Sequence, residues 1–369
     1  MSESVLAARE SRPAREGTVF HGPGDQRLNR RTVTIPADAH PALFVVVDTE
    51  EEFDWSAPFS RESTSVRAMG RIERAQEIFR RYGVRPTYVV DYPIASQPAG
   101  YEPLLEYVRA GECSIGAHLH PWVNPPYGET VSSRNSFACN LDGVLELEKL
   151  RVLKETIERN LGVRPRVFKA GRYGFGPSTM SALEDLGFGI DVSVQPASDF
   201  SREGGPSFVS FGAAPFWFGP RQTLLEMPCT TGYTGVARRV GRPLHAVAAS
   251  LRALKLPGVL AKTGVVDRIG LSPEGFTSAE HRRLTVSLMA DGIRTFTLTF
   301  HSPSVEPGHT PYVRTAADVD EFLGRLDAYC EFFFGRLGGI APTPTEFAAS
   351  LEFSGPAEDG ATTTMRYVT

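Results

Sequence analysis

The middle of the chain repeats one rhythm: a short apolar run, a loop, then apolar residues at helical spacing. Residues 42–48 (ALFVVVD) open it. A run this continuously apolar predicts a strand buried on both faces, as in a parallel sheet. Over 66–82, Met69, Ile72, Ala75, Ile78 and Phe79 recur at intervals that predict an amphipathic helix, which Gly83 ends. Further strands are predicted at 87–91, 114–118, 166–170, 189–194, 223–227 and 295–300. Helices are predicted at 144–161, 178–186 and 316–334, with two or three more helical stretches inside 244–290. Strands alternating with helices predict parallel βαβ units. Seven such strands predict an α/β barrel, closed or nearly so, whose chemistry gathers where the strands end.

Length modifies this little. A prior of roughly 150 residues per domain points to two domains in a chain of 369, but α/β barrels commonly fill more than that as one. The reading is a single barrel domain over 39–350. Residues 1–38 and 351–369, polar and rich in Gly, Pro and Thr, are expected to be flexible extensions. The segment 234–290 exceeds one crossover and is expected to be a helical insertion, a cap or an interface. The net charge of −4 arises from mixed signs without a long block of either, so no nucleic-acid partner is indicated. Cys113, Cys139, Cys229 and Cys330 are far apart and form no Cys-x-x-Cys pair, which argues against a zinc knuckle or a disulfide scaffold. No apolar leader and no run of ~18 apolar residues is visible, so the expectation is a cytoplasmic protein without a membrane span. Nothing in the sequence specifies an oligomeric state.

The candidate chemistry lies at the strand ends and just beyond them. The first strand ends at Asp48, Glu50, Glu51 and Glu52, the second at Asp91, and the third at His118 and His120 with Trp122 close behind. The fourth runs through Lys169 into Arg172 and Tyr173, the fifth carries Asp191, the sixth Glu226, and the last ends at His301. In extended chain, residues i and i+2 face the same way. His118 and His120 can therefore share one metal ion, and Asp48 and Glu50 can face one centre, one as ligand and the other as general base. Taken singly, a His-x-His pair or an acidic loop is more often just a solvated loop; their joint placement at strand ends favours a metal site. Arg172, in a glycine-rich turn, can orient a catalytic carboxylate, hold substrate, or simply be an exposed loop residue. The Tyr173 N–H can stabilise an oxyanion. His301 can protonate a leaving amine or be a buried, satisfied histidine. Asp91, Asp191 and Glu226 can balance Arg172 or bind a sugar hydroxyl. Trp55, Trp122 and Tyr173 can offer stacking faces, although single aromatics more often pack structurally.

On Val46–Trp55, Ile115–Trp122, Ala170–Gly174 and Thr299–Pro303, taken in that order, the sequence resembles the polysaccharide deacetylases of carbohydrate esterase family 4, the NodB-homology group, and more closely its WalW-like branch. The resemblance covers about residues 41 to 340. It implies a distorted (β/α)7 barrel and a divalent metal, zinc first and cobalt, nickel or manganese as substitutes, held by two histidines and a carboxylate. It further implies hydrolysis of an N-acetyl group on an amino-sugar-containing substrate. Asp48 matches the family's base, His118 and His120 its histidine pair, Arg172 the arginine that pairs with the base, and His301 its late acid. Two departures stand out. Thr49 follows Asp48 where the family has a second aspartate, so Glu50 supplies the metal carboxylate or exchanges roles with Asp48. Only Leu119 separates the two histidines, a shorter spacing than the family's. The competing readings are a metal-independent amidase on the same fold and a non-catalytic carbohydrate-binding barrel.

Overall fold

The computed structural model describes residues 30–244, 256–351 and the two-residue strand Thr363–Thr364. Most of the N-terminal extension, the beginning of the helical stretch expected after 244, and nearly all of the C-terminal tail lie outside the described residues.

The strands in chain order are β1 (Arg31–Thr34), β2 (Ala42–Thr49), β3 (Thr87–Val90), β4 (Ser114–Leu119), β5 (Val167–Ala170), β6 (Ile190–Asp191), β7 (Phe216–Phe218), β8 (Leu224–Glu226), β9 (Thr231–Thr234), β10 (Asp267–Gly270), β11 (Thr295–His301) and β12 (Thr363–Thr364). The main sheet has the order β11-β2-β3-β4-β5-β6-β8-β7-β1-β12. From β11 to β8 every pairing is parallel, and these seven strands are the seven expected. The sheet is curled into the expected distorted (β/α)7 barrel. Among the described residues ladder pairing does not close it: beyond β8 the sheet turns antiparallel through β7 to β1. Irregular chain spans the gap instead. Met227 N–H donates to Asp191 (2.9 Å), Cys229 N–H to Val194 (2.9 Å), and Thr230 N–H to Thr297 on β11 (3.1 Å).

The helices are α1 (Glu73–Arg81), α2 (Tyr92–Ser96), α3 (Pro98–Ala110), α4 (Gly143–Leu161), α5 (Pro177–Leu186), α6 (Leu256–Lys262), α7 (Ser278–Ala290), α8 (Ala316–Cys330) and α9 (Pro344–Ala349). The helix expected over 66–82 begins as a 3-10 turn, Arg67–Arg71, before α1. The one expected over 316–334 ends in a π turn, Glu331–Arg336. The insertion is not purely helical, because it contains β10, which pairs antiparallel with β9 at its start.

The two faces of each strand separate two apolar layers. Leu43, Val45 and Val47 of β2 pack under the helices with Ile115, Ala117, Phe168, Phe296, Leu298 and Phe300. Ala42, Phe44 and Val46 pack inside the barrel with Val89, Val167, Ile190 and Leu225. Period-two alternation then decides where the polar strand ends go. Asp48 continues the inward series of β2. His118, two residues past Gly116, lies on the face opposite Ala117 and Leu119. Lys169 follows inward Val167, and His301 lies opposite Phe300. Glu226 follows outward Leu224 and so faces away from the barrel interior.

Candidate metal and active site

The inward strand ends meet at one end of the barrel. The parallel registers align His301 with Asp48 and His118 with Lys169. Together with Glu50 and His120, two residues further on, they line a cavity of about 430 Å³. The third strand's end is closely packed: a Cβ added to Gly171 would fall 2.3 Å from His120 Cδ2, so only glycine fits there.

Glu50, His118 and His120 form the innermost group. Each histidine Nε2 lies 3.5 Å from Glu50 Oε2, and the three potential ligand atoms lie within 4.8 Å of one another. His118 Nδ1 donates to the Lys169 carbonyl (2.9 Å), and His120 Nδ1 donates to Glu51 Oε2 (2.7 Å). With the proton committed at Nδ1, each neutral ring turns a lone pair toward Glu50. Burial keeps both rings neutral, lowering His118 and taking His120 down to about 4. Burial raises Glu50, and its Oε1 is buried without a hydrogen-bond partner among the described residues. Two imidazole lone pairs and a carboxylate thus converge with no donor between them. That is an unfavourable arrangement unless a cation sits there, and the outer hydrogen bonds on Nδ1 are those that orient metal-binding histidines. The residues present fit a divalent metal.

Glu51 and Asp91 form the layer behind. Glu51 also accepts from Trp122 Nε1 (2.8 Å), while Asp91 accepts the Glu51 N–H (2.7 Å) and caps α2 through the Ile94 N–H (2.8 Å). Burial pushes Glu51 to about 8 and Asp91 well above the usual carboxylate range. Although Glu51, Asp91 and His120 also have ligand-like spacing, these contacts engage them with one another.

Asp48 is held by Lys169, whose Nζ lies 2.7 and 2.5 Å from its two carboxylate oxygens. Burial alone would raise the Asp48 carboxyl, but the charges of Lys169, foremost, and His301 hold it below its ordinary value. Across the cavity, His301 Nε2 is 3.7 Å from Asp48 Oδ2, and its Nδ1 lies 2.8 Å from Glu274 Oε2. Glu274 also accepts the His301 N–H (3.2 Å). Burial works against a charged ring, but Glu274 outweighs it with help from Glu50 and Asp48, raising His301 to about 10.

Several expected roles change. Arg172 does not pair with Asp48, because Lys169 occupies that position; it bonds instead to Ser136 Oγ (2.6 Å) and pairs with Glu203. Trp122 is buried, stacked 4.3 Å from the His120 ring and spent on Glu51, so it offers substrate no face. Asp91 is buried behind His120. Glu226, buried on the outward face, accepts the Val194 N–H (3.1 Å) and does not line the cavity. Asp191 is buried on that outward side as well. Tyr173 and Trp55 do line the cavity, with Phe53, Phe59, Phe137, Phe200 and Tyr312. Sequence reasoning gave no role to Lys169, Glu51 or Glu274. Lys169 had a signal, its inward parity with Val167 at the end of β5. Glu274 had none, since it comes from the loop after β10.

No family model matches the chain, and no curated protein matches it in sequence. Solved structures do match. One, from Mycobacterium smegmatis and classed as a polysaccharide deacetylase, shares 16% identity at a TM-score of 0.50, over 92% of this chain and 99% of its own. Another, from Parabacteroides distasonis and classed as a glycoside hydrolase/deacetylase, shares 11% identity at a TM-score of 0.51, over 83% of this chain and 70% of its own. At such identities the likeness is one of fold.

Proposed function

Starting from a chain with the fold of the polysaccharide deacetylases, we propose that it is a metal-dependent hydrolase that removes an N-acetyl group from an amino-sugar-containing substrate. The observation that carries this reading is the convergence of Glu50, His118 and His120, with both Nδ1 atoms committed elsewhere, beside a cavity containing Asp48 and His301. Glu50, His118 and His120 would hold the metal, with zinc the expected occupant. When bound, the metal supplies Lewis acidity and lowers the pKa of water.

The chain's own residues do the rest. Asp48, kept ionised by Lys169, accepts a proton from the attacking water. His301, kept protonated by Glu274, donates a proton to the departing nitrogen, which would otherwise leave as a poor amide anion. The two groups stand 3.7 Å apart with opposite protonation preferences, the division of labour that acid–base catalysis requires. The Tyr173 N–H, on the turn lining the cavity, is the donor we assign to the developing oxyanion. Trp55, exposed and packed edge-on to the His301 ring at 5.0 Å, supplies a stacking face for a sugar. Acetate release from a panel of N-acetylated sugars, measured with metal-loaded and chelated protein, tests the reading. Release by the loaded protein and its loss in the chelated protein support it. Release from no member of the panel, or equal release without metal, counts against it.

A further inference from the structure

Three cations stand in the cavity wall among the described residues: Lys169, His301 and Arg172. The first two are matched by carboxylates sealed inside the protein. Asp48 and Glu274 have side chains only 5% and 4% exposed. Arg172 differs. Its partner Glu203 is 57% exposed, on the short turn Ser201–Glu203 that is followed by two glycines.

The guanidinium itself is fixed. It lies 4.2 Å from the ring centroid of Phe137 and 5.0 Å from that of Phe59, and it donates to Ser136 Oγ. Its backbone is fixed too, with Arg172 and Tyr173 at φ 53° and 59°, left-handed positions that non-glycine residues adopt only at an energetic cost. The preceding residue, Gly171, is packed against His120, so the backbone that carries Arg172 is anchored beside that histidine. A costly backbone thus presents a rigid cation to the cavity, opposite a carboxylate free to swing into solvent.

We infer that Arg172 is a specificity residue that binds an oxyanion substituent of the substrate, a phosphate or a carboxylate carried by the N-acetylated sugar, and that Glu203 holds its place until the substrate displaces it. Lys169 makes this possible: by taking over the pairing with Asp48, it frees the arginine for recognition. The planar fork of arginine suits either oxyanion. The inference rests on the deacetylase reading for the bond that is cleaved, but not for the group that is bound.

The test measures calorimetric binding of three probes to the full chain: N-acetylglucosamine, its 1-phosphate, and N-acetylglucosaminuronic acid. Acetate release is followed in parallel. The wild type should favour at least one charged probe by about tenfold, the scale of a charge-assisted hydrogen-bond pair. Which probe is favoured tells phosphate from carboxylate. Arg172→Met should erase that preference while leaving the neutral sugar within about twofold. Glu203→Gln, an exposed change that should not disturb folding, should tighten the charged probes by removing a competitor. No preference in the wild type, or weaker binding of charged probes by Glu203→Gln, overturns the inference; the latter means that the pair binds neutral hydroxyls together. Preferential binding with no acetate release leaves the oxyanion site standing and rejects the deacetylase reading. Equal binding of all three with acetate release does the reverse.

Discussion

Replacing Lys169 by Met probes the least expected contact of the site. The side chain is nearly isosteric, so its volume is largely retained while the charge is lost. Asp48 then remains as a buried carboxylate, only 5% exposed, without its principal counter-ion. Breaking a buried pair by removing one partner costs roughly 3–5 kcal/mol. His301, 3.7 Å from Asp48, still offers a second positive charge, which places the expected cost near the lower end, about 3 kcal/mol. Urea unfolding in chelator, extrapolated to water, measures this without interference from metal affinity. The double variant Lys169→Met/Asp48→Asn, in which both charges are gone, should recover much of the loss. Asp48 in the single variant should also titrate higher. In the proposed mechanism its ionised form is the base, so the acidic limb of the pH–rate profile should move upward. A cost under about 1 kcal/mol, no recovery in the double variant and an unmoved limb would together refute the assignment of Lys169 as the partner that keeps Asp48 charged.

The remaining predictions concern other groups. Glu274→Gln removes the main support for the His301 imidazolium; with the protonated ring as the proposed acid, the alkaline limb should fall from near 10 toward the ordinary histidine range in a pH–rate profile. Glu50→Gln should abolish metal-induced stabilisation, measured as the shift in Tm on adding metal, yet leave the metal-free protein about as stable, because the carboxylate removed is buried with its Oε1 lacking a hydrogen-bond partner among the described residues. His281, which does not line the cavity, donates Nε2–H to the Ser272 carbonyl, and burial lowers it to about 4. The unfolded chain therefore binds the extra proton first, and stability falls as pH drops from about 6.5 to about 4, by up to roughly 3 kcal/mol. His281→Gln should lose that part of the slope in urea unfolding at pH 7 and pH 4.5, and an unchanged slope would show the ring is not buried neutral.

The barrel was legible because its strands are buried on both faces and read as continuous apolar runs, as in residues 42–48 and 295–300. The elements that escaped lack such a signature. The helix Pro98–Ala110 is punctuated by Pro98, Gly100 and Pro103, and Phe216–Phe218 is too short for periodicity to register. The candidate metal group was legible for a related reason: i, i+2 spacing in extended chain brings His118 with His120, and Asp48 with Glu50, to one side. Which carboxylate does what was not, since that depends on how far each reaches. Asp48 ends against Lys169, and Glu50 between the two imidazoles. Glu226 misled because strand-end position alone does not reveal parity; its outward face follows from Leu225 pointing inward. Arg172 misled because chain order placed it after the right strand, whereas strand register gave the neighbouring lysine the position opposite the base. Glu274 reaches His301 across 27 residues of sequence, a contact that only the folded chain creates.

The central claim is that Glu50, His118 and His120 hold one catalytic metal. The most direct measurement is metal content paired with acetate release, taken on the wild type as purified, after chelation, and after metal is restored, alongside His118→Ala and His120→Ala. The account predicts about one divalent ion per chain in the wild type, loss and recovery of acetate release with the metal, and neither bound metal nor turnover in the two variants. Full acetate release from metal-free protein, or metal retained by both variants, would contradict it.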